Sequence, residues 1–193
     1  YKCDKNTYDP AEFLADCFAS YLLMPYTLVT YAFAARNFDI KSCSPHKIFV
    51  VSCWIGVGYE TLVKHMCYSL RIISIERAND LLKISPKSIR KVIMNKDCEN
   101  NVVIVDQLWH KHPVTIEVGD YLVLPYGTTA EKKFIKSIGC HKHGELYVAT
   151  RQGFEEVCGK DGMWATFIKV SRKHYTGRST FRHLEDPDDI ESN

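Results

Sequence analysis

Hydrophobic side chains recur at helical spacing near the start of the chain. Leu14, Phe18 and Leu22 are four residues apart, so they fall on one side of a helix. A start signal precedes them, because Asp9 can cap free backbone amides and Pro10 fits the first helical turn. The pattern therefore predicts a helix that begins near Pro10.

The same periodicity predicts five further helices before residue 95. They are a helix over residues 28–36, a helix that begins at Ser44-Pro45, a helix over residues 59–70, and two shorter helices that begin at Ser74 and at Ser85-Pro86. Serine is a favoured N-cap residue, and proline is favoured directly after it. The first half of the chain is therefore predicted to be helical.

Beyond a polar stretch at residues 95–101, the pattern changes to short β-rich runs between turn residues. The clearest predicted strands cover residues 102–105, 121–124, 146–149 and 165–168. They favour a small sheet or a partly closed barrel, and the whole chain is predicted to have an α+β fold. The predicted division is a helical part at residues 1–95, a β-rich regulatory or sensory domain at 96–184, and an acidic disordered tail at 185–193.

Composition narrows the class of protein further. Lys and Arg total 25 against 23 Asp and Glu, and this formal charge of +2 is too small to indicate a nucleic-acid or membrane partner by itself. Eight scattered cysteines without a CxxC pair favour reduced thiols, and we expect a cytoplasmic protein. No apolar run reaches the roughly 20 residues that a membrane span needs, so no membrane partner is expected.

The most informative segment is Glu-Phe-Leu-Ala-Asp-Cys-Phe-Ala at residues 12–19, followed by Leu-Leu-Met-Pro at 22–25. It resembles the ImmA/IrrE metallopeptidase family, in which a glutamate helix with this pattern follows an HExxH helix. The resemblance continues through residues 57–62 and 69–73, and it covers roughly the first 90 residues. It implies the helical C-terminal part of a zincin-like peptidase domain.

The resemblance also implies zinc as a cofactor and a role for two acidic residues. Two histidines of an HExxH helix would bind zinc, and Glu12 of this chain would be the third protein ligand. Asp16, one turn further along, would accept a hydrogen bond from the ring of a zinc-bound histidine. Ala15 and Ala19 are small enough to let the HExxH helix approach closely.

The sequence departs from the family pattern in one respect, because it contains no HExxH. We expect that helix to lie before Tyr1, which is not an ordinary translation start. Supply by another chain and an inactive copy are the alternatives, and Glu12 could instead be a helix-capping glutamate. The substrate class that the resemblance implies is a protein, often a helix-turn-helix repressor. The alternative function is a non-catalytic regulatory or nucleic-acid-binding module that keeps the peptidase scaffold.

Basic and aromatic residues alternate late in the chain. The candidate contacts are Arg172, Lys173, Tyr175, Arg178 and Arg182. Such a run could follow the phosphates and stack on the bases of single-stranded nucleic acid, or it could be a solvated tail.

Three other features give weaker indications of function. The triplets His110-Lys111-His112 and His141-Lys142-His143 lack a recognisable four-ligand spacing, so exposed loop histidines are the favoured interpretation. Residues 44–70 superficially resemble a helix-turn-helix motif, but the second helix is expected to present Glu60, Thr61, Lys64 and His65 rather than a basic recognition surface. Trp109 and Trp164 are placed in strands and could line a ligand pocket, although buried core tryptophans are more common.

Overall fold

The computed structural model describes residues 10–160 and 162–172, and within them helices precede strands. The helices are α1 (Pro10–Leu23), α2 (Tyr26–Ala34), α3 (Pro45–Ile55), α4 (Tyr59–Lys64), α5 (Ile75–Leu82) and α6 (Pro86–Met94). The strands are β1 (Val102–Ile104), β2 (Val114–Glu117), β3 (Tyr121–Leu124), β4 (Thr128–Ala130), β5 (Ile135–His141), β6 (Gly144–Ala149), β7 (Gly153–Gly159) and β8 (Ala165–Ser171). The predicted α+β fold is confirmed.

Local capping chemistry explains where three helices begin. The hydroxyl groups of Ser44, Ser74 and Ser85 each accept a hydrogen bond from the backbone amide three residues later. Local residues also explain where α3 and α6 end, because Gly56 and Asn95 adopt the left-handed conformation at their C-termini. The three predicted helix starts are therefore confirmed.

The helix that starts at Tyr59 changes its geometry after one and a half turns. Residues His65–Ser69 continue α4 as a π-helical turn, so the predicted helix over residues 59–70 is one continuous but irregular element. Leu62 and Met66 are fully buried on its inner face. The predicted helix at residues 28–36 lies two residues earlier, as α2.

The helices and the first sheet share one hydrophobic core. Strand residues Val102, Ile104, Val123 and Leu146 belong to the same buried cluster as the inner faces of α2 to α6. The helices before residue 95 and the strands after it therefore pack against each other. The division of the chain into a helical and a β-rich domain stays a prediction.

Two four-stranded sheets enclose a second core. Sheet A has the order β1-β3-β6-β5 and sheet B the order β2-β8-β7-β4, with parallel pairing of β1 with β3 and of β2 with β8. Side chains alternate along β3, so Val123 faces the helices while Leu122 and Leu124 face sheet B. Sheet A is thus covered on both faces. Trp109 lies in a 3-10 turn and Trp164 in the turn before β8, so their placement in strands was wrong.

A partly buried ion pair connects the helical and β-rich parts. Arg36 donates from Nε and Nη2 to the two carboxylate oxygens of Asp106, at 2.6 and 3.1 Å. The guanidinium carbon of Arg36 also lies 5.2 Å from the centre of the Trp54 ring.

No single helix within residues 10–160 and 162–172 is long and apolar enough to cross a membrane. Only α1 and α2 taken together, bent by 42° at their junction, meet the length and composition of a span.

Candidate functional site

Helix α1 lies on the surface, and its apolar side chains remain largely uncovered. Phe18 is 71% exposed and Leu22 is 67% exposed. The opposite side of the helix packs inward, because Cys17 is half-buried and Met24, just past the helix end, is 1% exposed. Helix α1 therefore presents an exposed, partly apolar surface that the described residues do not cover.

Both acidic residues singled out from the sequence lie on this outward surface. Glu12 is in the first turn of α1, and Asp16 follows one turn later on the same side. Ala15 and Ala19 are exposed beside them. We name the surface formed by Glu12, Ala15, Asp16 and Ala19 the acidic face of α1.

The end of α1 is fixed by contacts with the π-helical turn. Tyr21 donates a hydrogen bond from its hydroxyl group to the carbonyl of Ser69, at 3.2 Å. His65 lies with Nε2 2.9 Å from the carbonyl oxygen of Met24, and the Tyr21 ring meets the His65 ring edge-on. Because a carbonyl only accepts, Nε2 of His65 is the protonated nitrogen. These contacts hold the acidic face in a defined orientation.

The described residues do not complete a metal site by themselves. Among them, no group of three or more His, Cys, Asp or Glu side chains is arranged to hold a metal ion. Glu12 and Asp16 supply carboxylates only, and His65 is 4% exposed and is committed to Met24. Zinc bound at the acidic face would therefore need histidine ligands from outside the described residues.

The histidine triplets have structural roles where they are described. His110 accepts a hydrogen bond at Nδ1 from the backbone amide of Ala165, at 3.1 Å. His143 stacks on His46, with ring centres 4.2 Å apart, so it joins the β5–β6 turn to the start of α3. The pKa of His46 falls to about 4, because burial and then the positive charges of His143 and Lys142 disfavour its protonated form.

The structure also tests the exposure that was expected for the second helix of the helix-turn-helix-like segment. In the helix-turn-helix-like segment, Glu60, Thr61 and Lys64 are exposed as expected, but His65 is buried, because it supports α1. Of the candidate nucleic-acid contacts, Arg172 is half-buried and directly follows β8. The others, Lys173, Tyr175, Arg178 and Arg182, lie outside the described residues, as does the predicted acidic tail.

The sequence pointed to Trp109 as a possible pocket residue, but it did not predict the cleft that lies between the helices and the sheets. The volume of this cleft is about 680 Å³, and it is lined by the end of α3, the turn before α4, the half-buried Pro86 and Arg90 of α6, and residues of β1 and β2. Trp54, Arg90 and Trp109 are among its walls. No local signal marks such a site, because the contributing segments are far apart along the chain.

Comparison with known proteins found no match for the chain. No protein-family model matches it, and neither a curated protein nor a solved structure matches it significantly. The resemblance to the ImmA/IrrE family therefore rests on the motif residues themselves, and it stays a prediction.

Proposed function

We propose that this chain is part of a zinc metallopeptidase of the ImmA/IrrE type, in which Glu12 is the third protein ligand of zinc. The observation that carries the proposal is the outward position of Glu12 and Asp16, one turn apart on an uncovered helix. A carboxylate that must complete a metal site on a second helix needs such a surface. The reaction class is regulated hydrolysis of a peptide bond in a protein substrate, with a helix-turn-helix repressor as the substrate class that the resemblance implies.

The surroundings of Glu12 suit the close approach of another helix. Ala15 and Ala19 stand beside the two carboxylates and have the smallest side chains that a chiral residue can offer. The distance between packed helices depends on the side chains at the contact, so alanines permit a short one. Leu22 and Leu23 extend this surface with apolar area, and both are exposed in α1. An incoming helix would bury them.

Each acidic residue has a distinct proposed role. Glu12 would bind zinc through its carboxylate, and Asp16 would accept the ring N–H of a zinc-bound histidine and so fix the orientation of that ring. Zinc at such a site lowers the pKa of a bound water and polarises a peptide carbonyl. The two histidines and the glutamate of HExxH are proposed to come from a segment before residue 1.

The competing class is a non-catalytic regulatory or nucleic-acid-binding module. On that alternative Glu12 stabilises the first turn of α1, where a negative charge interacts favourably with the helix dipole. The two functions differ in metal content. The peptidase needs zinc that depends on Glu12, whereas the module does not.

The zinc content of the intact protein, purified with whatever segment its gene places before residue 1, tests the proposal. We expect about one zinc ion per chain, with a large loss in the Glu12→Gln variant. Glu60→Gln is a matched control, because Glu60 is an exposed glutamate in the first turn of α4. Absence of zinc, or zinc that Glu12→Gln leaves unchanged, would overturn the proposal and favour the non-catalytic module.

A further inference from the structure

The cleft between the helices and the sheets has the size and lining of a small-molecule site. Its volume of about 680 Å³ lies within the range of roughly 300–1,000 Å³ that is usual for such sites. Two tryptophans, Trp54 and Trp109, lie among apolar neighbours such as Val57 and Val103. Flat aromatic walls favour a ligand with a flat apolar body.

Two residues that line the cleft, Trp109 and Arg90, each have a buried nitrogen atom without a hydrogen-bond partner among the described residues. Trp109 is 7% exposed, and its indole Nε1 has no hydrogen-bond partner among the described residues. The Nε atom of Arg90 is also buried without such a partner. Buried donors without acceptors are costly, and a guanidinium group binds a carboxylate more strongly than it binds a neutral acceptor. Arg90 lines the cleft, so its guanidinium group favours a ligand with an anionic acceptor group there.

The other ionisable groups at the cleft do not remove this preference. Asp120 is buried there, and its two carboxylate oxygens accept hydrogen bonds from the backbone amides of Asn101 and Glu117, at 3.2 and 2.9 Å. Those amides compensate its charge and fix the turn between β2 and β3. Burial raises the pKa of Cys53 to about 11, so this thiol is uncharged at neutral pH. Arg90 is therefore the cation available to a ligand.

We propose that the cleft binds a small organic anion of the aromatic carboxylate class. The carboxylate contacts the guanidinium group of Arg90, and the aromatic body lies against Trp54 and Trp109. Helical residues and strand residues both line the cleft, so the bound ligand contacts both parts of the chain at once. This site is separate from the acidic face of α1 and does not depend on zinc.

The test uses 2-naphthoate as the probe and the neutral 2-naphthamide as its partner, with affinities measured by isothermal titration calorimetry on the full chain. We expect Arg90→Met to weaken 2-naphthoate about tenfold or more, and to change 2-naphthamide much less. Lys87→Met is a matched control, because it removes an exposed positive charge from the same helix and should leave both affinities unchanged. Failure of the wild type to bind 2-naphthoate, or equal affinities of the two variants, would overturn the assignment.

A second pair of variants locates the binding without relying on Arg90. Thr115 lines the cleft and is exposed on β2, so Thr115→Phe should fill the cleft at little cost to the sheet and abolish binding of both probes. Phe18→Ser should leave both probes bound, because Phe18 lies on α1. The opposite result, with binding lost in Phe18→Ser and kept in Thr115→Phe, would place the probe on α1 and contradict the proposal.

Discussion

Helices α1 and α3 are both rich in apolar residues, but they differ in what covers them. In α3, Ile48 and Val51 have no exposed surface, whereas in α1 Phe18 and Leu22 are mostly exposed. Contiguous exposed apolar surface on a folded protein usually marks a place where something binds. The spacing of apolar residues therefore predicts a helix, whereas only the packing shows whether the chain itself covers the apolar side of that helix.

The largest expected change in the free energy of unfolding comes from truncating a buried side chain of α3, and truncating an exposed side chain of α1 should change it far less. Ile48→Ala should lower the free energy of unfolding by about 2–5 kcal/mol, because it leaves a cavity in the core. In the chain of residues 1–193, Leu22→Ala should change it by less than about 0.5 kcal/mol, because Leu22 is 67% exposed there. Urea denaturation of both variants of this chain measures the two values, and similar losses would contradict the exposure of Leu22 on α1.

A smaller loss of stability is expected when the ion pair between the helical and β-rich parts is removed. Asp106→Ala should lower the free energy of unfolding by about 2 kcal/mol, since it leaves the buried guanidinium group of Arg36 without its carboxylate. Asp80→Ala is the control, because the pair of Asp80 with Lys83 is exposed and should contribute no measurable stability. Equal denaturation midpoints for both variants would contradict a structural role for the Arg36–Asp106 pair.

The smallest expected effect concerns pH and the His46–His143 stack. In the folded chain the pKa of His46 is about 4, below its ordinary value of 6.5, so between these pH values the unfolded chain binds the extra proton. The free energy of unfolding should therefore fall as pH falls from about 6.5 to 4. The difference in this quantity between the wild type and His46→Gln should shrink over the same range, and a constant difference would contradict the burial of a neutral His46.

The sequence could predict what depends on local chemistry. Ser44, Ser74 and Ser85 marked helix starts correctly because capping involves residues only three positions apart. Strand pairing depends on distant residues, so the parallel alignment of β2 with β8 was not predictable.

The candidate sites divide in the same way. Glu12 and Asp16 were singled out because the motif that resembles the ImmA/IrrE family lies within one continuous segment of the chain. The cleft joins Trp54, Arg90 and Trp109 from three separate segments, and the stack of His46 on His143 joins a helix start to a distant turn. Their relation exists only after the helices pack on sheet A.

The most direct test of the central claim is the zinc K-edge X-ray absorption spectrum of the intact protein. Eight cysteines are present, so bound zinc alone would leave thiolate ligation as an explanation. We predict a shell of nitrogen and oxygen ligands at about 2.0–2.2 Å without sulfur, altered by Glu12→Gln. A sulfur shell near 2.3 Å, or a spectrum that Glu12→Gln does not change, would contradict the assignment of Glu12 as a zinc ligand.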